Sequence, residues 1–456
     1  MNKNSALLVL CLASFLVPFM GSAINLSLPM ISETFSMKAV SLSWIATAYL
    51  ITTAVFQVPF ARMADLFGRK KVFIAGILLY GLAILMSGFT PSGTVLIILR
   101  AISGLGSAMM FGTNMAILTS IFPPNERGKA LGINTAIVYA ALASGPFIGG
   151  LITYYWGWRS LFYITGIFAF LVAAGAFVFL KSEWVESKGE RFDYTGSAIY
   201  AIGLFGLIFG FSILPNMQAF LWIAAGIVAF TIFILYELKD KQPVFNVRIF
   251  SGNKVFTLSC ISALINYACT SAAAFILSLY LQYIQGFNAL HAGRILIIQA
   301  AVQCVISIFA GKGSDKMSPA FLATSGMGIT AIGLIGLIFL TPNTSIIYLI
   351  VLIALLGLGF GMFSSPNTNI IMSAVDKKYY GHASATIGTM RLTGQAFSMG
   401  IAMMAISMNV GNKVITPDLH PQFMQSLRVC FEICAILCLL GAYASSFRVK
   451  KKTSDI

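Results

Sequence analysis

Apolar runs of about 20 residues recur along the whole chain, divided by short polar stretches. Fourteen can be drawn, at roughly 5–30, 41–61, 72–90, 94–121, 130–153, 160–180, 195–214, 218–236, 255–283, 293–310, 319–340, 345–372, 385–410 and 427–447. A helix rises about 1.5 Å per residue, so about 20 apolar residues cross the ~30 Å hydrocarbon layer of a bilayer. The alternating ~10-residue segments of a membrane β-barrel are absent. The pattern predicts an all-α polytopic membrane protein with 14 transmembrane helices. The longest polar stretches, 181–196 and 237–254, flank the seventh and eighth runs and read as linkers; no loop has the length of a soluble domain.

The runs are also duplicated. Residues 103–132 align without gaps to residues 356–385 at an offset of 253, pairing Gly104 with Gly357, Gly106 with Gly359, Asn114 with Asn367 and Gly128 with Gly381. "ARMAD" at 61–65 has a worn counterpart in "GKGSD" at 311–315, offset 250. Both offsets exceed half of the 456 residues, so something lies between the copies, and runs seven and eight fill that place. An even number of spans per copy makes both insert the same way, related by an axis along the membrane normal. The expected organisation is a six-helix bundle over 1–190, two extra transmembrane helices with their linkers over 191–252, and a second six-helix bundle over 253–456. Two such bundles enclose a central cavity that can open to either side by rocking, which is the architecture of a carrier.

Composition supports the membrane reading and removes an alternative. The chain is 58% apolar and 9% charged, with a mean hydropathy of +0.88; soluble proteins carry about a quarter charged residues. The net charge of +15 invites a nucleic-acid partner until the charges are placed. Of 29 Lys and Arg, five (Lys38, Arg159, Arg294, Lys413, Arg428) fall in loops on one side, Arg100 and Arg391 fall within runs, and the other 22 lie on the side of the chain ends. That is the positive-inside bias. It places both termini in the cytoplasm and the protein in the cell membrane, with no nucleic acid involved. The first run has the basic start and apolar core of a signal peptide, but its length and the span that follows identify an uncleaved helix. Seven cysteines lie inside runs and the three histidines fall in loops or at run ends; Cys430, Cys434 and Cys438 share a helix face and read as packing residues, with no metal expected.

The residues between the runs resemble a known family. "ARMADLFGRKK" (61–71) is similar to the loop signature G-x-x-x-D-R-x-G-R-K of the major facilitator superfamily, with Ala61 at its first glycine. "LRAISGLGSAMMFG" (99–112) resembles that superfamily's fourth-helix signature, and "ASGPFIGG" (143–150) the fifth-helix signature of its antiporters. "WGWRSLFYI" (156–164), "FDYTG" (192–196) and "GHASATIGTMRLTGQAFSMGIA" (381–402) look like its fourteen-span drug–proton antiporter branch. The resemblance implies the major facilitator fold and efflux of drugs or other amphipathic molecules by alternating access, in exchange for protons. It implies a cytoplasmic latch built on Asp65, Gly68 and Arg69, with Glu126 or Arg127 completing the charges and Asp315 as the worn copy. It also assigns Gly145, Pro146, Gly149 and Gly150 to a bend that suppresses leak.

For the pathway itself, Arg100 stands out as a cation within a run, where charge is costly and by default functional. Polar candidates around a central cavity are Asn25, Asn114, Asn266, Tyr267 and Asn367, with Gln57, Gln299 and Gln303 on neighbouring spans. Of the fourteen acids, Glu432 falls within a run, with Arg428 one turn away as its expected partner. Met20 occupies the place where the family's first-helix pattern has a carboxylate. This leaves an alternative cargo, an anionic or neutral metabolite without clear proton coupling. Convergent catalytic groups are missing from the runs, so an enzyme is not expected. No cofactor is expected either; the expected partners are a small-molecule substrate, the lipid bilayer and protons, for a monomeric carrier.

Overall fold

In a computed structural model of the protein, described over residues 3–187, 189–239, 244–245, 247–314, 317–375 and 380–446, the regular elements are helices. The first group holds α1 (Lys3–Ala23), which continues through a short 3-10 turn into α2 (Leu28–Phe35), then α3 (Ala39–Phe67), α4 (Arg69–Gly88), α5 (Gly93–Ile121), α6 (Pro124–Trp156) and α7 (Trp158–Phe179). A hairpin follows, α8 (Tyr194–Ser212) and α9 (Met217–Glu237), and the short α10 (Arg248–Gly252) leads on. The second group holds α11 (Lys254–Leu279), extended by a π turn, α12 (Ala289–Gly313), α13 (Pro319–Ile338), α14 (Ile346–Ser373), α15 (Tyr380–Asn409) and α16 (His420–Ser446). Polar side chains fix several helix starts by accepting backbone N–H bonds: Ser92 from Val95, Asp193 from Gly196 and Asn253 from Phe256.

Thirteen helices among the described residues are long and apolar enough to cross a membrane. The fourteenth expected run corresponds to α15, which is equally long but richer in Ser, Thr and Gly. It is enclosed by α3, α8, α11 and α16, so its small polar side chains meet protein instead of lipid. The 61–71 cluster departs from the loop its charges suggested. α3 continues through Phe67, Gly68 alone breaks the path at φ +117°, and α4 restarts at Arg69. Continuing the helix keeps backbone groups satisfied as the chain leaves the apolar layer, while Arg62 and Asp65 extend into the polar zone.

The duplication holds at the level of contacts. α1 packs on α6 as α11 packs on α15; α3 on α5 as α12 on α14; α4 on α5 and α7 as α13 on α14 and α16. The glycines of the repeat explain why. A Cβ on Gly106 would lie 2.5 Å from the Tyr80 nitrogen and 2.7 Å from the Gly76 carbonyl. A Cβ on its mate Gly359 would meet the Gly326 carbonyl and the Thr330 nitrogen, each at 2.6 Å. Gly104 rests on the Tyr49 carbonyl of α3 and Gly357 on the Gln299 carbonyl of α12. Asn114 donates to the Leu10 carbonyl of α1 (2.9 Å), and Asn367 to the Ser259 carbonyl of α11 (3.1 Å). Each contact recurs at nearly the same offset, so one packing plan is used twice.

The extra hairpin stands to one side. Tyr200, Leu204 and Ile208 of α8 and Phe233 of α9 share a buried cluster with Ile51, Ala54, Val55 and Val58 of α3 and with Leu392 and Ala396 of α15. It thus covers the seam between the groups, while α9 leaves most of its apolar surface outward. If close glycine approach sets this packing, Gly106→Ala and Gly359→Ala should each destabilise the fold by the ~1–3 kcal/mol typical of an overpacked core, read as a lower unfolding temperature in detergent. Gly128→Ala, inside α6 where nothing lies within 4 Å, should not lower it and should raise it slightly, because Ala is the better helix former by about 1 kcal/mol.

Candidate functional site

One face of the molecule collects the basic residues. There the Asp65 Oδ1 accepts from the Arg69 Nε at 2.7 Å. Arg69 also donates to the Ser120 Oγ of α5 at 2.9 Å and pairs with Glu186 in the linker after α7. Backbone N–H groups of Glu186 and Ser187 donate to the Asp65 carbonyl, each at 3.1 Å. Arg62 pairs with Glu190 at 2.5 Å, and Glu183 accepts from the Lys70 nitrogen at 2.8 Å where α4 begins. A Cβ on Gly68 would sit 2.6 Å from the Glu183 carboxyl, in a backbone region L-residues avoid, so glycine is required there.

The network differs from the expected one in its third member. Arg127 is exposed and turns away, donating from Nε to the Phe122 carbonyl (2.9 Å) past the end of α5. Glu126 pairs with Lys3 at 3.1 Å. Glu186 takes the place foreseen for them, a contact across 117 positions of sequence that spacing could not reveal. The worn copy Asp315 lies outside the described residues. Every partner named here belongs to the first helix group or its linker, so this cluster braces one half of the molecule.

The opposite face carries the seam between the halves. Gly145 and Gly149 bring α6 onto α1; a Cβ on Gly149 would lie 2.7 Å from the Ala23 Cα. Gly150 faces the Ala289 carbonyl of α12, and Gly293 of α12 faces the carbonyl of Pro146, the proline inside α6. Ser278 of α11 donates to the Asn25 carbonyl (2.8 Å), and the Ala39 nitrogen of α3 to the Lys413 carbonyl (2.8 Å). A cavity of about 320 Å³ lies over this junction, lined by residues including Met30, Glu33, Tyr154, Tyr283 and Phe287. Toward the basic face α6 is uncovered, with Gly132, Ile133, Thr135, Ala136 and Ala140 exposed. The seam is therefore closed by backbone contact on the far face, while α6 is exposed toward the basic one.

Between the two faces lie the polar candidates. Arg100 is 1% exposed, donates from Nε to the Ile45 carbonyl at 3.1 Å, stacks 4.5 Å from the Tyr49 ring, and keeps one terminal nitrogen without a partner. Tyr49 bonds Ser107 at 2.8 Å. Buried Asn266 has neither amide atom bonded, and Gln57 and Gln303 each keep one buried amide atom unbonded. Tyr267 meets Phe360 edge-on at 5.3 Å. Gln299 and Asn25 are half-buried, each contributing its carbonyl to a helix junction. Sequence reasoning missed three participants: Arg391 of α15, 5.4 Å over the Phe111 ring of α5, and the Tyr139–Ser364 hydrogen bond from α6 to α14. Arg391 was visible as a second cation within a run. The tyrosine had no signal.

The acids also shift. Glu432 and Arg428 are both exposed on α16 and are not among the ion pairs of the described residues. Glu237, assigned to a linker, closes α9 and is 1% exposed. Cys269 of α11 joins Cys430, Cys434 and Cys438 in one buried core cluster.

Two like-built helix groups joined tightly on one face, with polar groups midway, have the architecture of a membrane carrier. Residues 10–399 match the family model of the Major Facilitator Superfamily, and the chain belongs to that family. It is 26% identical to the Riboflavin transporter RibZ of Clostridioides difficile, covering 100% of this chain and 99% of that protein. It is 26% identical to the Multidrug resistance protein Stp of Mycobacterium tuberculosis, over 88% of this chain and 76% of that one. The Methylenomycin A resistance protein of Bacillus subtilis is 25% identical over 89% of this chain and 88% of its own length. Among solved structures, an inward-facing, unoccupied bacterial homologue of the human lysosomal transporter Spinster superposes with a TM-score of 0.71 at 17% identity, covering 98% of this chain and 96% of that one.

The seam geometry sets a test. Gly150→Ala and Gly293→Ala should push α6 from α12 and open the far face. In a cysteine-free background, Asn25→Cys should then react faster with a membrane-impermeant maleimide added on that side.

Proposed function

We propose that the protein is a secondary carrier that exports amphipathic small molecules by alternating access, with its basic face and both termini in the cytoplasm of the cell. The observation that carries this reading is the seam: two halves built on one packing plan meet tightly on the far face, while α6 is uncovered at the basic face. That arrangement suits loading from the cytoplasmic side. The units that rock are residues 1–190 and 253–456, with 191–252 riding on the seam, and the Asp65–Arg69–Glu186 cluster stiffens the first of them. The relatives named for drug and antibiotic resistance support export. Proton exchange is the coupling expected from the fourteen-span drug–proton branch, and a monomer is the expected working unit.

A second reading is favoured by the buried guanidinium of Arg100 and by Met20, 1% exposed at the place of the branch's carboxylate. With positive charge and no first-helix acid in the middle of the pathway, an anionic or neutral metabolite fits better than a cation. The relative named as a riboflavin transporter supports a metabolite cargo.

Reconstituted vesicles test both. Dye accumulation driven by an imposed pH gradient, abolished by a protonophore, is the outcome expected of proton-coupled export. Flux indifferent to the gradient supports the second reading. Arg100→Ala should cut the transport rate at least tenfold under either, since an unsatisfied pocket replaces a charged one; unchanged flux removes Arg100 from the pathway.

A further inference from the structure

Arg391 has no task in the transport reading so far. It is the twelfth residue of a 30-residue helix, about 17 Å from the start of α15 at 1.5 Å per residue, and therefore near mid-depth. Its side chain is half-buried. The guanidinium lies over Phe111, on the other side of the seam between the two helix groups, and its charge reaches Tyr49 of α3 and Tyr139 of α6. Tyr139 in turn bonds Ser364 of α14, and Tyr267 of α11 lies close enough to act on it. Arg391 thus faces groups from both halves at the centre of the molecule.

Its neighbours shown among the described residues are the Phe111 ring and the hydroxyls of Tyr49 and Tyr139. The ion pairs found among the described residues, Lys3–Glu126, Arg62–Glu190, Arg69–Asp65 and Arg69–Glu186, are all on the basic face. Arg100 stacks on Tyr49, with a buried terminal nitrogen unbonded. A guanidinium stays charged in proteins. Held at mid-depth without a carboxylate, it calls for water or an arriving anion. Its planar fork matches a carboxylate or phosphate bidentately, which an ammonium cannot do.

We propose that Arg391 recognises an anionic group on the transported molecule, whose aromatic part rests on Phe111 and the Tyr267–Phe360 pair. Because the charge comes from α15 and Phe111 from α5, the bound molecule bridges the halves, and its affinity changes as they rock. Arg100 adds a second positive centre that disfavours cations. The inference rests on the carrier reading and deepens its second form.

Fluorescein, a planar aromatic anion, and ethidium, a planar aromatic cation, are the probes. Binding to the purified full chain is measured by fluorescence polarisation, and flux in proteoliposomes. Wild type should bind fluorescein in preference to ethidium. Arg391→Gln should weaken fluorescein at least tenfold, Arg391→Lys less, and Arg428→Gln, on exposed α16, not at all; size exclusion and melting temperature report folding. Should Arg391→Gln fold poorly, Phe111→Ala and the wild-type preference still decide. Ethidium bound more tightly than fluorescein, or fluorescein bound equally by wild type and a folded Arg391→Gln, overturns the proposal. Ethidium moved while fluorescein is neither bound nor moved removes this inference and leaves the carrier standing. Fluorescein bound through Arg391 with no dye moved does the reverse.

Discussion

The structure depends on how closely helix backbones approach at a few glycines. In a bilayer, burying apolar side chains against one another gains little over burying them in lipid, so helix association relies on van der Waals contact and hydrogen bonds at short range. Gly106 against Gly76 and Tyr80, and Gly359 against Gly326 and Thr330, meet that requirement in the two halves. Each glycine removes a side chain where the facing helix presents backbone. The asparagines Asn114 and Asn367 add a hydrogen bond to a carbonyl of the first helix in each half.

The same device, used once more between the halves, makes a joint. Within each half, backbone contact runs along α4–α5 and α13–α14, holding the group rigid. Across the halves it is made at Gly150, Gly293 and their facing carbonyls at one end of α6 and α12, with the Ala39–Lys413 backbone bond and the Ser278–Asn25 bond on the same face. A contact at one end of two rigid bodies permits rotation about it. The proline in α6 belongs to this joint because its lost N–H lets the helix bend where the carbonyl is presented.

Charge is distributed to match. On the basic face, carboxylates from the linker neutralise Arg62 and Arg69; the 66% exposed Glu186 adds little stability by itself but ties the linker to α3 and α4. At the centre the balance is positive, with Arg100 over Tyr49 and Arg391 over Phe111. Stability comes from the uncharged packing. The uncompensated charge is left where a passing molecule would meet it.

The number of helices, their order and the duplication were legible because crossing a bilayer imposes a local rule on length and hydrophobicity. The ends of α5, α9, α13 and α14 lie within two residues of their runs. Asp65 with Arg69, and Arg100 inside a helix, were legible as charges out of place. What the chain alone could not determine is which distant residue meets which. Glu186 replaces Glu126 and Arg127 beside Arg69, Glu432 stands apart from Arg428, and Arg391 meets Phe111 across the seam. Hydrophobic length is read within one helix, whereas these partners depend on the relative rotation and depth of helices far apart in sequence, which only their packing decides.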